Sequence, residues 1–170
     1  MTYYTTTVES PCGPLLCVVD EAGAVVRIEF VKGREAQRIT EKIKAAGIEI
    51  VEDASRTAEV RRQLAEYFAG ERREFDLRLA PEGTPFERAV WAELEKIPFG
   101  ETRSYGEIAR ALGRPDAARA VGRANGANPI PIVVPCHRVI GADGSLTGFG
   151  GGLDVKARLL ELEGLALPFG

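Results

Sequence analysis

The chain has 170 residues, of which 45% are hydrophobic and 28% charged, and its formal net charge is −3. That is enough for one generous domain or two small ones, each with its own core. The weakly acidic balance excludes a protein that coats nucleic acid by bulk charge. Three cysteines is an odd number, and their spacing fits neither a disulfide framework nor a C-x-x-C site, so reduced thiols are the simplest expectation. No apolar run reaches membrane-spanning length, and MTYYTTTVESPCG lacks the basic and apolar regions of a secretory signal. A soluble, cytoplasmic protein with no membrane contact is expected.

The first thirty residues read as strands. TYYTTTVES is rich in β-branched and aromatic residues, and GPLLCVV and AVVRIEFV flank a DEAG turn as a hairpin. Ala36, Ile39, Ile43 and Ala46 recur at helical spacing before Gly47, the strand IEIVE follows, and Val60, Leu64, Tyr67 and Phe68 mark a second helix ending at Gly70. Cys12 and Cys17 read as small apolar core residues. Pro81, Gly83 and Pro85 break the chain, which places a domain boundary there. The expected fold is α+β: a small sheet-plus-helix domain over residues 1–80, then a mostly helical, winged-helix-like domain over residues 81–170.

Beyond the boundary, Thr84, Pro85 and Glu87 form a capping box with proline at the first helical position. The apolar stripe Phe86, Val90, Leu94 and Ile97 follows, with Pro98 and Gly100 as the stop. Ser104 and Glu107 form a second capping box for a short helix closed by Gly113. Pro115 is expected to open the next helix, with Ala117, Val121 and Ala124 on its apolar face and Arg119 and Arg123 opposite. Two short helices joined by Gly-Arg-Pro form a helix-turn-helix pattern. The small residues of the second helix (Ala117, Ala118, Ala120, Gly122, Ala124) suit close approach to a DNA groove or to another helix. From Arg103 to Arg138 six arginines face only Glu107 and Asp116, which tips the balance toward DNA.

The stretch 129–140, PIPIVVPCHRVI, places a thiol, an imidazole and a guanidinium between apolar segments, and His137 is the sole histidine. An ordinary cysteine has a pKa of about 8.5, so only about 3% is thiolate at pH 7, and burial lowers that further. As a nucleophile Cys136 needs a base or a nearby positive charge. In an extended segment adjacent side chains diverge, so a bridging water or a turn has to link Cys136 to His137, and Glu163 is a candidate to orient the ring. A structural Cys-His pair, a cysteine hydrolase and a zinc site remain alternatives, though zinc fits no usual ligand spacing here. GADGSLTGFGGGL, 141–153, has six glycines and reads as a flexible loop. A last helix carries Val155, Leu159 and Leu162, with Gly164 as its cap.

PCHRVI after NPIPIVV, with SYGEIA and ARAVGRANGANP upstream and LLELEG downstream, resembles the O6-alkylguanine-DNA alkyltransferases (methylated-DNA–protein-cysteine methyltransferases). The likeness runs from about Ala80 to Gly164, and the first half is compatible with that family's variable first domain. It implies DNA repair by direct reversal: a single-turnover transfer of an alkyl group from O6 of guanine, and from O4 of thymine, in duplex DNA to Cys136. In this reading His137, through a water and paired with Glu163, deprotonates Cys136. Asn128 braces the helix-turn-helix against the active-site turn. Arg119 fills the gap left by the flipped base, and Tyr105 presses on the adjacent phosphate and lines the pocket. The implied DNA- and substrate-contacting set further includes Ser104, Ala117, Ala118, Gly122, Pro131, Phe149, Gly150 and Gly151. No cofactor and no metal are implied, since the first domain has no histidine, and a monomer acting on double-stranded DNA with O6-alkylguanine is expected. Gly126 and Gly150 stand where some members carry larger side chains, which implies fewer phosphate contacts and a roomier pocket. A buried thiol cannot reach a stacked base, so base flipping is required, and the thioether formed has no route to hydrolysis. A non-catalytic module that recognises alkylated bases and a sequence-preferring regulator are the rival functions.

Overall fold

The computed structural model describes residues 1–149 and 151–165. The chain divides into two units, Met1–Pro81 and Glu82–Gly170.

In the first unit, β1 (Thr2–Val8), β2 (Leu15–Val19) and β3 (Val25–Phe30) form an antiparallel meander. Helix α1 (Glu35–Ala45) then carries the chain across to β4 (Glu49–Glu52), which pairs parallel with β1 and gives the order β3-β2-β1-β4. Helix α2 (Ala58–Phe68) follows and buries Val60, Leu64 and Tyr67. Its buried Gln63 closes two 2.9 Å hydrogen bonds with the backbone of Asp76, which fixes the irregular segment that ends the unit. Cys17 is fully buried in β2, and burial pushes its thiol up to about 12, so it is inert.

The second unit begins with α3 (Pro85–Leu94), opened by the capping box in which Thr84 Oγ1 accepts from the Glu87 amide and the Glu87 carboxylate accepts from the Thr84 amide. The helix stops at Leu94, one turn before the Pro98–Gly100 breakers. Ile97 is nevertheless buried, on a turn rather than on the helix. Sequence spacing missed Trp91, 2% exposed, whose indole N–H donates to the Ala124 carbonyl at 2.8 Å. Short β5 (Arg103–Ser104) leads into α4 (Tyr105–Ala111), capped by Ser104 and Glu107. Helix α5 spans Ala118–Gly126, three residues later than a start at Pro115. The Ala117 amide donates to the Arg114 carbonyl at 2.9 Å, so Pro115 occupies the second position of a β-turn, which its fixed φ suits as well as a helix start. Both α3 and α4 pack on α5. Two-residue β6 (Val139–Ile140) pairs parallel with β5, and α6 (Leu153–Leu162) is the last element among the described residues.

Gly83 shows how tightly Trp91 is held. A Cβ at position 83 would lie 2.4 Å from Cη2 of the buried indole, which is itself anchored by its hydrogen bond. Gly83→Ala is expected to destabilise the protein by about 1–3 kcal/mol, in the range of overpacking a filled core. The check is a lower thermal midpoint together with altered emission from Trp91, the sole tryptophan; an unchanged midpoint and spectrum would contradict the contact.

Candidate active site

The run Ile130–Val134 is buried, yet it is not a strand. The Val134 amide donates to the Ile130 carbonyl at 2.9 Å, and Ile132 sits at φ 73°, a left-handed conformation that costs a β-branched residue about 1–3 kcal/mol. Asn128 holds the loop from inside: its Oδ1 accepts from the Ile130 amide at 3.0 Å and its Nδ2 donates to the Val134 carbonyl at 2.8 Å. The strained turn delivers Cys136, His137 and Arg138 as a single 3-10 turn instead of an extended segment, so the three side chains fan out inside the core.

Cys136 is 4% exposed, and burial pushes its thiol up to about 11. Unlike Cys17, it has neighbours that act the other way: a hydrogen bond from Asn128 and the charge of Lys156 both favour the thiolate. His137 is fully buried, and its Nε2 lies 2.7 Å from Oε2 of Glu163, the residue that closes α6. Burial holds the imidazole below its ordinary pKa, while Glu163 opposes that shift. Its other nitrogen, Nδ1, is buried with no hydrogen-bond partner among the described residues. A neutral ring that donates from Nε2 to a carboxylate keeps its lone pair on Nδ1.

Glu163 also holds Arg138, which donates from Nε to Oε1 at 2.8 Å and from Nη2 to Oε2 at 3.0 Å. The remaining Arg138 nitrogen, Nη1, donates to the Ile97 carbonyl at 2.7 Å. The Gly100 amide reaches Glu163 Oε1 at 3.3 Å from a φ of +80°, a conformation that favours glycine.

The other site residues fall on surrounding elements. Ser104 caps α4, with its hydroxyl committed to the Glu107 amide. Tyr105 begins α4, and its hydroxyl lies 2.6 Å from Thr147 Oγ1. Gly122 on α5 lies alongside the Tyr105 ring, where a Cβ would be 3.8 Å from Cδ1 and Cε1. Ala117 and Ala118 open α5 half-buried, and Arg119 and Arg123 are exposed. Pro131 is buried in the strained turn, Phe149 is half-buried and Gly151 is buried. Gly150 lies outside the described residues. The glycine-rich loop is anchored rather than free: Ser145 and Asp143 close its tip, and Thr147 is held by Tyr105 and by Lys156.

Three functional side chains escaped the sequence reading. Asn125, 2% exposed, donates from Nδ2 to the Cys136 carbonyl at 3.3 Å and so ties α5 to the thiol's own backbone. Lys156 is fully buried and donates to the carbonyls of Val139 and Thr147. Arg138 stood in the motif without a role. The signal available for the first two was helical spacing, since each polar residue shares the apolar face of its helix: Asn125 with Val121, and Lys156 with Leu159 and Leu160.

Comparison with known proteins finds two family models. Residues 2–81 match the 6-O-methylguanine DNA methyltransferase ribonuclease-like domain, and residues 85–165 match the 6-O-methylguanine DNA methyltransferase DNA binding domain. A methylated-DNA–protein-cysteine methyltransferase of Methanosarcina acetivorans is 51% identical over 161 residues, covering 95% of this chain and 98% of its own. The constitutive methylated-DNA–protein-cysteine methyltransferase of Bacillus subtilis is 45% identical over 96% of each chain. Among solved structures, Mycobacterium tuberculosis OGT in complex with DNA superposes with a TM-score of 0.81 at 45% identity, covering 96% of this chain and 92% of its own.

Proposed function

From the premise that this chain belongs to the 6-O-methylguanine DNA methyltransferase family, we propose that it repairs alkylated DNA by moving the alkyl group from O6 of guanine onto its own Cys136. The observation that carries this reading is the buried thiol on the same turn as His137, whose Nε2 meets Glu163 at 2.7 Å.

The chemistry follows from that arrangement. A thiol raised to about 11 is almost wholly protonated at neutral pH, so attack requires a proton acceptor. His137 offers Nδ1, and a water bridging Nδ1 and the thiol relays the proton. Sγ then bonds to the alkyl carbon as the carbon–O6 bond breaks, and the electron pair leaves with the guanine. A proton from the Tyr105 hydroxyl neutralises the departing base, and the proton held on His137 then returns through solvent to the tyrosinate, so the sum is thiol plus alkylguanine giving thioether plus guanine. The thioether is stable, and each molecule acts once.

The substrate base must leave the duplex to reach a buried thiol, at a cost of a few kcal/mol. Arg119 and Arg123, exposed on α5, suit a helix that lies in a groove, with Arg119 entering the space of the extruded base. Tyr105 at the start of α4 faces the phosphate beside the flipped nucleotide. Pro131, Phe149 and Gly151 line the base pocket. Phosphate contacts set position and carry little sequence information, so binding to double-stranded DNA is weakly sequence-specific. In this reading it works as a monomer in the cytoplasm. Among the described residues no helix is long and apolar enough to cross a membrane.

The test is single-turnover reaction with a duplex carrying O6-methylguanine, followed by intact mass and peptide mapping. The expected result is a gain of one CH₂ on the peptide that contains Cys136, with none for Cys136→Ser, which still binds DNA. Binding without covalent change in the unaltered protein would sink the proposal. A parallel duplex with O4-methylthymine shows whether the same thiol accepts from that base.

A further inference from the structure

We infer that Arg138 is a positioning residue for alkyl transfer: by gripping both oxygens of Glu163 it fixes which nitrogen of His137 carries the proton, and how readily the other accepts one. The inference rests on the reading of His137 as the proton acceptor and extends it to a residue that does not touch the substrate.

The argument is one of shared atoms. Oε2 of Glu163 meets His137 Nε2 at 2.7 Å and Arg138 Nη2 at 3.0 Å, while Oε1 takes Arg138 Nε at 2.8 Å. All three side chains are buried. A guanidinium stays protonated under any condition the protein survives, so it keeps the carboxylate ionised. An ionised carboxylate accepts only, which places the ring proton on Nε2 and leaves Nδ1 as the lone pair. Arg138 thus selects the reactive tautomer without contacting the ring's working face.

It also sets the ring's basicity. A bare buried carboxylate would favour the imidazolium strongly, and an imidazolium cannot take the proton of Cys136. With Arg138 already paired, the Glu163–Arg138 unit is neutral overall, and its pull on a proton at His137 is weak. The other charged group acting on His137 is Lys156 on α6, which also disfavours the imidazolium; Cys136 is the remaining titratable neighbour. From the side of α3 come the uncharged Ile97 carbonyl on Arg138 Nη1 and the Phe99 ring, 5.8 Å from the guanidinium carbon. Those contacts aim the guanidinium and add no competing charge.

Because His137 is the sole histidine, its ring resonances can be followed directly in untagged protein. The experiment measures the imidazole titration by NMR and the single-turnover transfer rate across the same pH range, for the unaltered chain, Arg138→Gln and Arg138→Lys. In the unaltered chain the ring should be the Nε2-protonated tautomer. In Arg138→Gln the midpoint should rise by about one pH unit or more, and the acid limb of the rate profile should rise with it. Arg138→Lys, which keeps the charge but cannot grip both oxygens, should fall between. A folded Arg138→Gln whose midpoint and acid limb stay in place would overturn the inference. Should Arg138→Gln fail to fold, an unshifted Arg138→Lys overturns it equally. His137→Gln separates the two readings: wild-type transfer by that variant removes His137 as the acceptor, while the NMR midpoint still decides whether Arg138 governs the ring.

Discussion

Glu163→Ala should leave no measurable alkyl transfer and should destabilise the protein by about 3–5 kcal/mol, the range for removing one partner of a buried ion pair. The loss has two parts. The Arg138 guanidinium, 6% exposed, would lose both carboxylate contacts and keep the Ile97 carbonyl and the Phe99 ring, leaving a buried charge without its carboxylate counter-ion. At the same time His137 Nε2 would lose its acceptor, and the ring would be free to turn or to change tautomer. Glu163→Gln should be milder for stability, since an amide oxygen can still accept from Arg138, but it should remain severe for transfer because the amide carries no charge to hold the ring proton. Urea unfolding and single-turnover rates on the same preparations separate the two parts. Wild-type transfer by Glu163→Ala, or a stability loss below about 1 kcal/mol, would contradict the geometry, since a buried guanidinium cannot lose its carboxylate that cheaply.

Much of this architecture was legible in the sequence because local rules decide it. The capping boxes at Thr84–Glu87 and Ser104–Glu107 are set by side chains three residues apart, and both form. The β2–β3 hairpin follows from two apolar runs around a short polar turn. Where the reading slipped, a second rule competed for the same residue. Pro115 satisfies a β-turn as readily as a helix start, and the backbone hydrogen bond from Ala117 to Arg114 settled it. The apolar run before Cys136 looked extended, but Asn128 bonds to both ends of it and forces Ile132 into a left-handed conformation that no propensity favours. The link between His137 and Glu163 spans 26 residues and joins a turn to the end of a helix, so spacing could nominate it and only tertiary packing could close it. Arg138, Asn125 and Lys156 stayed silent for a related reason. A polar residue on an apolar face reads as noise until its buried partner is known, and here the partners of Asn125 and Lys156 are backbone carbonyls, which the amino-acid sequence never displays.

Lys156 yields the second large effect, and its sign can be worked through. The side chain is fully buried, with Nζ donating to the Val139 carbonyl at 2.5 Å and the Thr147 carbonyl at 2.8 Å. Burial pulls its pKa from 10.5 down to about 8, with only the charge of a Cys136 thiolate opposing. Between about pH 8 and pH 10.5 the folded chain has released this proton and the unfolded chain still holds it. The unfolded state then binds more protons, so this group's contribution to stability rises with pH across that window. Its penalty is fully present below pH 8 and gone above 10.5, a change of about 3 kcal/mol. The buried thiols work in the opposite sense. Cys136 and Cys17, raised from 9.0 to about 11 and about 12, keep protons that the unfolded chain has lost, so their contribution falls as pH rises above about 9. The total for the unaltered chain mixes both trends, and the informative quantity is the difference between it and Lys156→Met. Methionine keeps the apolar stem and removes the titrating group, so the contribution of Cys17, raised by burial alone, cancels in the difference. Measured by urea unfolding at intervals from pH 7 to pH 10.5, the unaltered chain should gain on Lys156→Met by about 3 kcal/mol. A difference that stays flat over that range would mean that Lys156 keeps its proton in the folded state, with its charge fully satisfied by the two carbonyls. A steep one would mean that the lysine holding the Thr147 loop beside Tyr105 does so at a standing cost in stability at neutral pH, where the same charge favours the Cys136 thiolate.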